Sequence, residues 1–276
     1  MPTRVITVTS GKGGVGKTTT TANLGVALAK LGQRVVVIDT DIGLRNLDVV
    51  MGLQNRIIYD IVDLVEGRAR LRQALIHDRV EQELYLLPAA QSRDKSAVSP
   101  ADLIQVCTQL RGECDFVLID SPAGIELGFR NAVAPADEFV LVTTPDYSAI
   151  QDVDRVLGIL EAEGRIDTRL VVNRIRPELV RRNDMLSVEE IVSRLAIPLL
   201  GVVPENEQLL VANARGNPVA HDETSLAGKA YHGMAQRLLG ADVPEAQDAP
   251  ERNGLFAWVR DALRERGGFL ARRGTG

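Results

Sequence analysis

Cysteine is nearly missing from this chain of 276 residues: Cys107 and Cys114 are the only two, and they form no C-x-x-C pair. That excludes a disulfide framework and a cysteine-based zinc site, and makes reduced thiols the expected state. Aromatic side chains are also scarce, at 4% of the chain. No apolar run approaches the roughly 18–20 residues that a membrane-crossing helix needs, so no span is expected. The N-terminus enters an apolar strand pattern almost at once, so no secretory signal is expected either. Positive charge is in deficit, with 32 Lys and Arg against 37 Asp and Glu, a net charge of −5. The deficit is uneven. From residue 254 onward, five arginines (260, 264, 266, 272 and 273) face Asp261 and Glu265, a net of +3, which leaves −8 on the remainder. So acidic a body argues against nonspecific DNA binding as the main task.

What is present is apolar content of 45%, enough to fill a large core, arranged as an alternation. Short runs rich in Val, Ile and Leu read as strands at 4–9, 34–39, 84–88, 115–120, 138–144, 168–173 and 199–203. Longer segments of helical period fall at 17–31, 100–111, 148–162, 187–196 and 224–238. The strand runs lack polar alternation, as strands buried on both faces do. The expected fold class is α/β: a doubly wound, mostly parallel sheet with helices on both faces. Ligands of such sheets bind beyond the carboxyl ends of the strands.

One stretch organises the rest. Gly11 to Thr18 meets the pattern G-x-x-x-x-G-K-[ST], placed between the first strand and the first helix. Gly11, Gly13, Gly14 and Gly16, with Val15 between them, let backbone N–H groups turn inward around a phosphate without Cβ clashes. The helix start at Lys17, Thr18 and Thr19 adds free N–H groups and a positive dipole end. Lys17 suits the β and γ phosphates, and the Thr18 hydroxyl suits Mg²⁺. A simple phosphate cradle does not need the second lysine, Lys12.

Three carboxylates follow in order. Asp39 closes the second strand with Asp41 just beyond it, and Asp120 closes the run Phe116-Val117-Leu118-Ile119. A carboxylate near Mg²⁺ and another that orients water suit phosphoanhydride hydrolysis. Asp39 and Asp120 are therefore candidate metal groups with Thr18, and Asp41 a candidate catalytic group with Lys17. Asn173 and Arg174 end another strand; an amide can hydrogen-bond a base edge and a guanidinium can stack on its face, with Pro204 as an opposite wall. An ordinary strand-end turn would explain Asn173 as well. Ser148 reads as the N-cap of a helix whose first turns carry Asp152 and Asp154.

The order Lys-Gly-Gly-Val-Gly-Lys-Thr-Thr at 12–19 resembles the deviant P-loop of the MinD/ParA ATPases. The segments at 42–48 and 120–126 resemble the two switch segments of the MinD branch, and the resemblance to that branch also covers 87–95 and 176–180. The resemblance runs from residue 4 to about 220 and resumes in kind at the C-terminus. One departure is Asn183, where many relatives have glycine; asparagine tolerates the left-handed backbone. The resemblance implies an ATP- and Mg²⁺-dependent ATPase, with Lys12 a catalytic residue that crosses a dimer interface to the partner's nucleotide, Asp41 essential for hydrolysis and Asn173 reading the base. It also implies that the surface around Ser148, Asp152 and Asp154 docks regulatory partners. The implied partners are a second copy in the presence of ATP, a MinC-like division inhibitor, a MinE-like or other topological factor, and an anionic membrane, with no nucleic acid. The implied setting is cytoplasmic and reversibly peripheral on the inner face of the cell membrane, where the division septum is positioned. A ParA-type DNA-partition ATPase and a flagellar-number regulator of the same superfamily stand as alternatives.

The expected domain plan is an ATPase domain at 1–240, a linker at 241–253 and a tail at 254–276. Two prolines and scattered acids without apolar period favour disorder in the linker. On a helical wheel Leu255, Phe256, Trp258, Val259, Ala262 and Leu263 share a stripe about 160° wide. The tail holds the only tryptophan, and arginines follow its apolar face, as in an interfacial membrane helix.

Overall fold

The computed structural model describes residues 2–243. The expected linker from 244 onward and the whole of the expected membrane tail at 254–276 lie outside those residues. In chain order the elements are β1 (Arg4–Thr9), α1 (Lys17–Lys30), β2 (Val35–Asp39), α2 (Leu47–Val50), α3 (Ile61–Val65), α4 (Leu71–Ala74), β3 (Ile76–His77), β4 (Leu84–Leu87), α5 (Pro100–Leu110) and β5 (Phe116–Asp120). There follow α6 (Leu127–Val133), β6 (Glu138–Thr143), α7 (Tyr147–Ala162), β7 (Thr168–Ile175), α8 (Pro177–Arg181), α9 (Val188–Leu195), β8 (Leu199–Pro204), α10 (Glu207–Ala214) and α11 (Leu226–Leu238).

The strands form one sheet in the order β3-β4-β2-β5-β1-β6-β7-β8, parallel throughout except for β3 against β4. Successive residues of each strand feed opposite cores, which is why the runs show no polar alternation. Val35 and Val37 of β2 join Leu24, Leu28, Tyr231 and Met234 beneath α1 and α11. Val36 and Ile38 point the other way, onto Leu103 and Val106 of α5. On that second face Phe139 and Leu141 of β6 pack with Val153 and Leu157 of α7 and Ile191 of α9. This is the doubly wound α/β arrangement expected from the strand and helix alternation.

Two features differ from the reading of the sequence. The two-residue edge strand β3 and the short helices α2, α3, α4, α6, α8 and α10 were not anticipated, because one or two turns do not establish a 3.6-residue period. The N-cap of α7 is Asp146, not Ser148: Asp146 Oδ1 accepts from the Ala149 N–H at 2.9 Å. A carboxylate makes the stronger, charge-assisted cap, and the Ser148 hydroxyl instead donates to that carboxylate at 2.7 Å. Asn183 does take the left-handed backbone, with φ 58°.

Parallel packing brings the carboxyl ends of β1, β2 and β5 together. Asp39 and Asp120 lie directly opposite each other in the β2–β5 register, and the loop after β1 arches above them.

Candidate functional site

Glycine is required at two points of the loop over residues 10–16. Gly14 and Gly16 have φ of 76° and 105°, left-handed conformations that a Cβ disfavours. A Cβ on Gly16 would also overlap the Asn173 amide. α1 starts directly after Gly16 without a side-chain cap and without an acidic residue in its first turn. Its leading N–H groups and dipole end therefore face the loop, the arrangement that binds phosphate. The Ser10 hydroxyl donates to the Lys12 carbonyl at 2.7 Å and accepts from Lys17 Nζ at 3.1 Å. Lys17 is buried, and that burial pulls its pKa below the ordinary lysine value against the attraction of Asp120 and Asp41.

Both carboxylates under the loop are inaccessible. Burial pushes the Asp120 pKa up, and the neighbouring Asp39 charge adds to the rise; hydrogen bonds from Thr18 and Thr21 and the charge of Lys17 oppose it. Thr21 Oγ1 donates to Asp120 Oδ1 at 3.3 Å. Burial raises Asp39 as well, opposed by three backbone N–H groups: Asp41 at 2.9 Å and Asn46 and Leu47 at 3.0 Å each. Two buried acids side by side favour a cation between them and the loop. Mg²⁺ is commonly held through one or two carboxylates plus substrate phosphates, a requirement that Asp39, Asp120 and Thr18 fit. The buried lysine and the uncapped helix start fit the phosphates.

Asp41 stands half-buried beyond Asp39. Burial raises its pKa, and the charges of Lys95 and Lys17 lower it. Its loop is pinned at both ends, by Asp39 and by the Gly43 N–H donating to the Ala90 carbonyl at 2.8 Å. Asn173 is buried against the loop: its amide donates to the Val15 carbonyl at 2.7 Å and its Oδ1 accepts from the Arg174 N–H at 2.9 Å. Arg174 is exposed with φ 60°, and Pro204 ends β8 beside it. Lys12 leans away from the cradle to the start of α7, where Nζ lies 2.7 Å from Ser148 Oγ and 3.3 Å from Asp146 Oδ1. Partial burial works against the Asp146 charge, but hydrogen bonds from Thr144, Ser148, Ala149 and Lys12 outweigh it and hold the group at about 2. Asp152 and Asp154 lie on the following turns of α7, and the Asp152 backbone packs on Gly11.

Residues 6–219 match the model of the CobQ/CobB/MinD/ParA nucleotide binding domain. The chain is 52% identical to the septum site-determining protein MinD of Bacillus subtilis (strain 168) over 257 residues, 92% of this chain and 96% of that one. The chain belongs to the MinD family. Among solved structures it is similar to the MinC:MinD cell division protein complex of Aquifex aeolicus, at TM-score 0.83 and 45% identity, over 89% of this chain and all of that one. It is also similar to the septum site-determining protein MinD of Pyrococcus horikoshii complexed with Mg-ADP, at TM-score 0.78 and 30% identity, over 87% of this chain and all of that one. Membership of the MinD family makes it a nucleotide-binding protein and ties it to cell division.

Within this MinD-family frame the structure gathers Gly11–Thr19, Asp39, Asp41, Asp120 and Asn173 at one end of the sheet. Lys12, Ser148 and Asp146 form a separate contact on one flank. The residues expected to meet a membrane, Leu255, Phe256, Trp258, Val259 and Leu263, lie outside the described residues. Sequence reasoning missed Ser10 and Thr21, and it missed Asn213, whose amide reaches the start of α1 by donating to Thr19 Oγ1 at 3.1 Å. Ser10 and Thr21 flank the motif but belong to no pattern that fixes their role. Asn213 is remote in sequence, and no local signal marks it.

Proposed function

We propose that this chain is an ATP-dependent switch that positions the division septum. It binds ATP with Mg²⁺, dimerises, holds the membrane surface through residues 254–276 and recruits a MinC-like inhibitor; a MinE-like or other topological factor ends the cycle. The observation that carries the reading is the cradle: a buried Lys17 and an uncapped α1 start facing two buried carboxylates. Lys17 and the N–H groups of the loop hold the phosphates. Thr18, Asp39 and Asp120 hold Mg²⁺, which supplies charge neutralisation at the phosphates when bound. Asp41 orients a water at the rim. Asn173, Arg174 and Pro204 supply the base side.

Lys12 at present contacts its own chain, so a role across the dimer requires it to leave Asp146 and Ser148. That exchange would change the surface at Ser148, Asp152 and Asp154, where the inhibitor is proposed to dock. The domain plan of ATPase body, linker and tail underlies the membrane step. Burial of one apolar side chain is worth at most roughly 1.5–3 kcal/mol, and ordering the segment offsets much of that. One tail therefore binds weakly, while two on a dimer gain roughly 10²–10⁴ in apparent affinity.

Co-sedimentation of the full chain with anionic liposomes tests the reading. Binding should be strong with ATP, weak with ADP and lost on deletion of residues 254–276. Equal binding with both nucleotides, or undiminished binding after the deletion, would overturn it.

A further inference from the structure

The last turn of α10 reaches the first turn of α1. Asn213 Nδ2 donates to Thr19 Oγ1 at 3.1 Å, while Asn213 Oδ1 is shut away from water with no protein partner. A hydroxyl that accepts from an amide keeps its own proton for another acceptor. Thr19 is the third residue of α1, next to Thr18 and two past Lys17, in the turn whose N–H groups face the cradle. The same turn is fixed from behind. Buried Asn23 donates to the Thr19 carbonyl at 2.8 Å and accepts from the Ala220 N–H at 2.8 Å.

The position of Asn213 is itself fixed. Just beyond α10, Gly216 lies on the end of α2, where a Cβ would stand 2.6 Å from Gly52 Cα and 2.9 Å from the Val49 carbonyl oxygen. Both glycines have positive φ, 60° at Gly216 and 66° at Gly52, so the two backbones meet with no side chain between them. The start of α2 in turn hangs from Asp39 through the Leu47 N–H. At its other end α10 begins three residues after Pro204, on the base side. Asn213 therefore stands where the cradle helix, the segment after Asp41 and the base wall meet.

We propose that Asn213 is a positioning residue for the phosphates of a nucleoside di- or triphosphate. By donating to the Thr19 hydroxyl it occupies that oxygen as an acceptor and leaves the threonine proton free to turn to phosphate, converting a freely rotating hydroxyl into a directed donor. The inference rests on the nucleotide reading above and adds a residue outside every motif.

The test is a titration of the full chain with methylanthraniloyl-ADP and Mg²⁺, read by fluorescence. Asn213→Ala should weaken binding roughly three- to tenfold, the range of one hydrogen bond. Asn213→Asp keeps the shape but offers only acceptors. It draws the Thr19 proton to itself and should weaken binding at least as much. In a Thr19→Val background Asn213→Ala should have no further effect, because the group it directs is gone; a merely structural residue would still cost affinity there. Binding by both Asn213 variants within twofold of the parent would overturn the inference while leaving the nucleotide reading intact. So would losses that multiply in the double variant. A parent chain that binds no nucleotide would overturn both.

Discussion

Removing the Lys12 side chain should separate holding the monomer from building the proposed dimer. In this structure Lys12 pairs with Asp146 at 3.3 Å, both side chains nearly half exposed at 42% and 46%. Exposed pairs of that kind contribute about 0–1 kcal/mol. For a chain of this size, that is a fall of at most about 4 °C in melting temperature. Asp146 keeps its bonds to Thr144, Ser148 and the Ala149 N–H in the variant, so the α7 cap survives. Lys12→Ala should therefore melt within about 4 °C of the parent and retain nucleotide. Sedimentation velocity with ATP should show the parent as a dimer and the variant as a monomer. A much larger loss of stability would mean that the α7 contact is a structural strut. An unaltered ATP dimer would remove Lys12 from the interface.

Lys17→Ala should abolish nucleotide binding by calorimetry, because the only buried cation of the loop is lost. Asp41→Ala should bind ATP and dimerise but hydrolyse roughly 10²-fold more slowly or worse, the usual contribution of a positioned acid or base; phosphate release at the parent rate would remove Asp41 from the chemistry. Gly16→Ala combines a left-handed backbone with displacement of the Asn173 amide, and should cost roughly 2–3 kcal/mol in urea unfolding. A midpoint equal to the parent's would show that the loop relaxes around the methyl group.

Legibility followed the range of the interactions. Strands such as Val35–Asp39 announce themselves because each residue is buried by one face of the sheet or the other, so hydrophobicity alone marks them. Helices of four or five residues, such as α2 and α4, owe their existence to anchors like Asp39 and the Arg70–Gln73 pair, not to a periodic face. The cradle was readable because Gly11–Thr18 is contiguous and its chemistry tolerates few substitutes. The contacts that tune it were not: Asn173 with Val15, Lys12 with Asp146 and Asn213 with Thr19 join residues 134 to 194 positions apart. The cap of α7 was misread by two residues because Asp and Ser are nearly equal caps in isolation; the local network around Asp146 decided between them.

The place of β1 in the sheet also shapes how the chain is made. β1 precedes both of its sheet neighbours by more than 100 residues, because it lies between β5 and β6, with Arg4 opposite Phe116 and Ile6 opposite Glu138. Neither neighbour exists until more than 100 further residues have been added after β1, a wait on the order of 10 s at roughly 5–20 residues per second. Throughout that interval Val5-Ile6-Thr7-Val8 is an unpaired apolar strand, the kind of edge that invites wrong partners. The phosphate loop attached to it has only Asp39 of its two floor carboxylates before Asp120 is added. The complete site, and with it the full stabilisation that a bound nucleotide would add, exists only once β1, β2 and β5 have found each other.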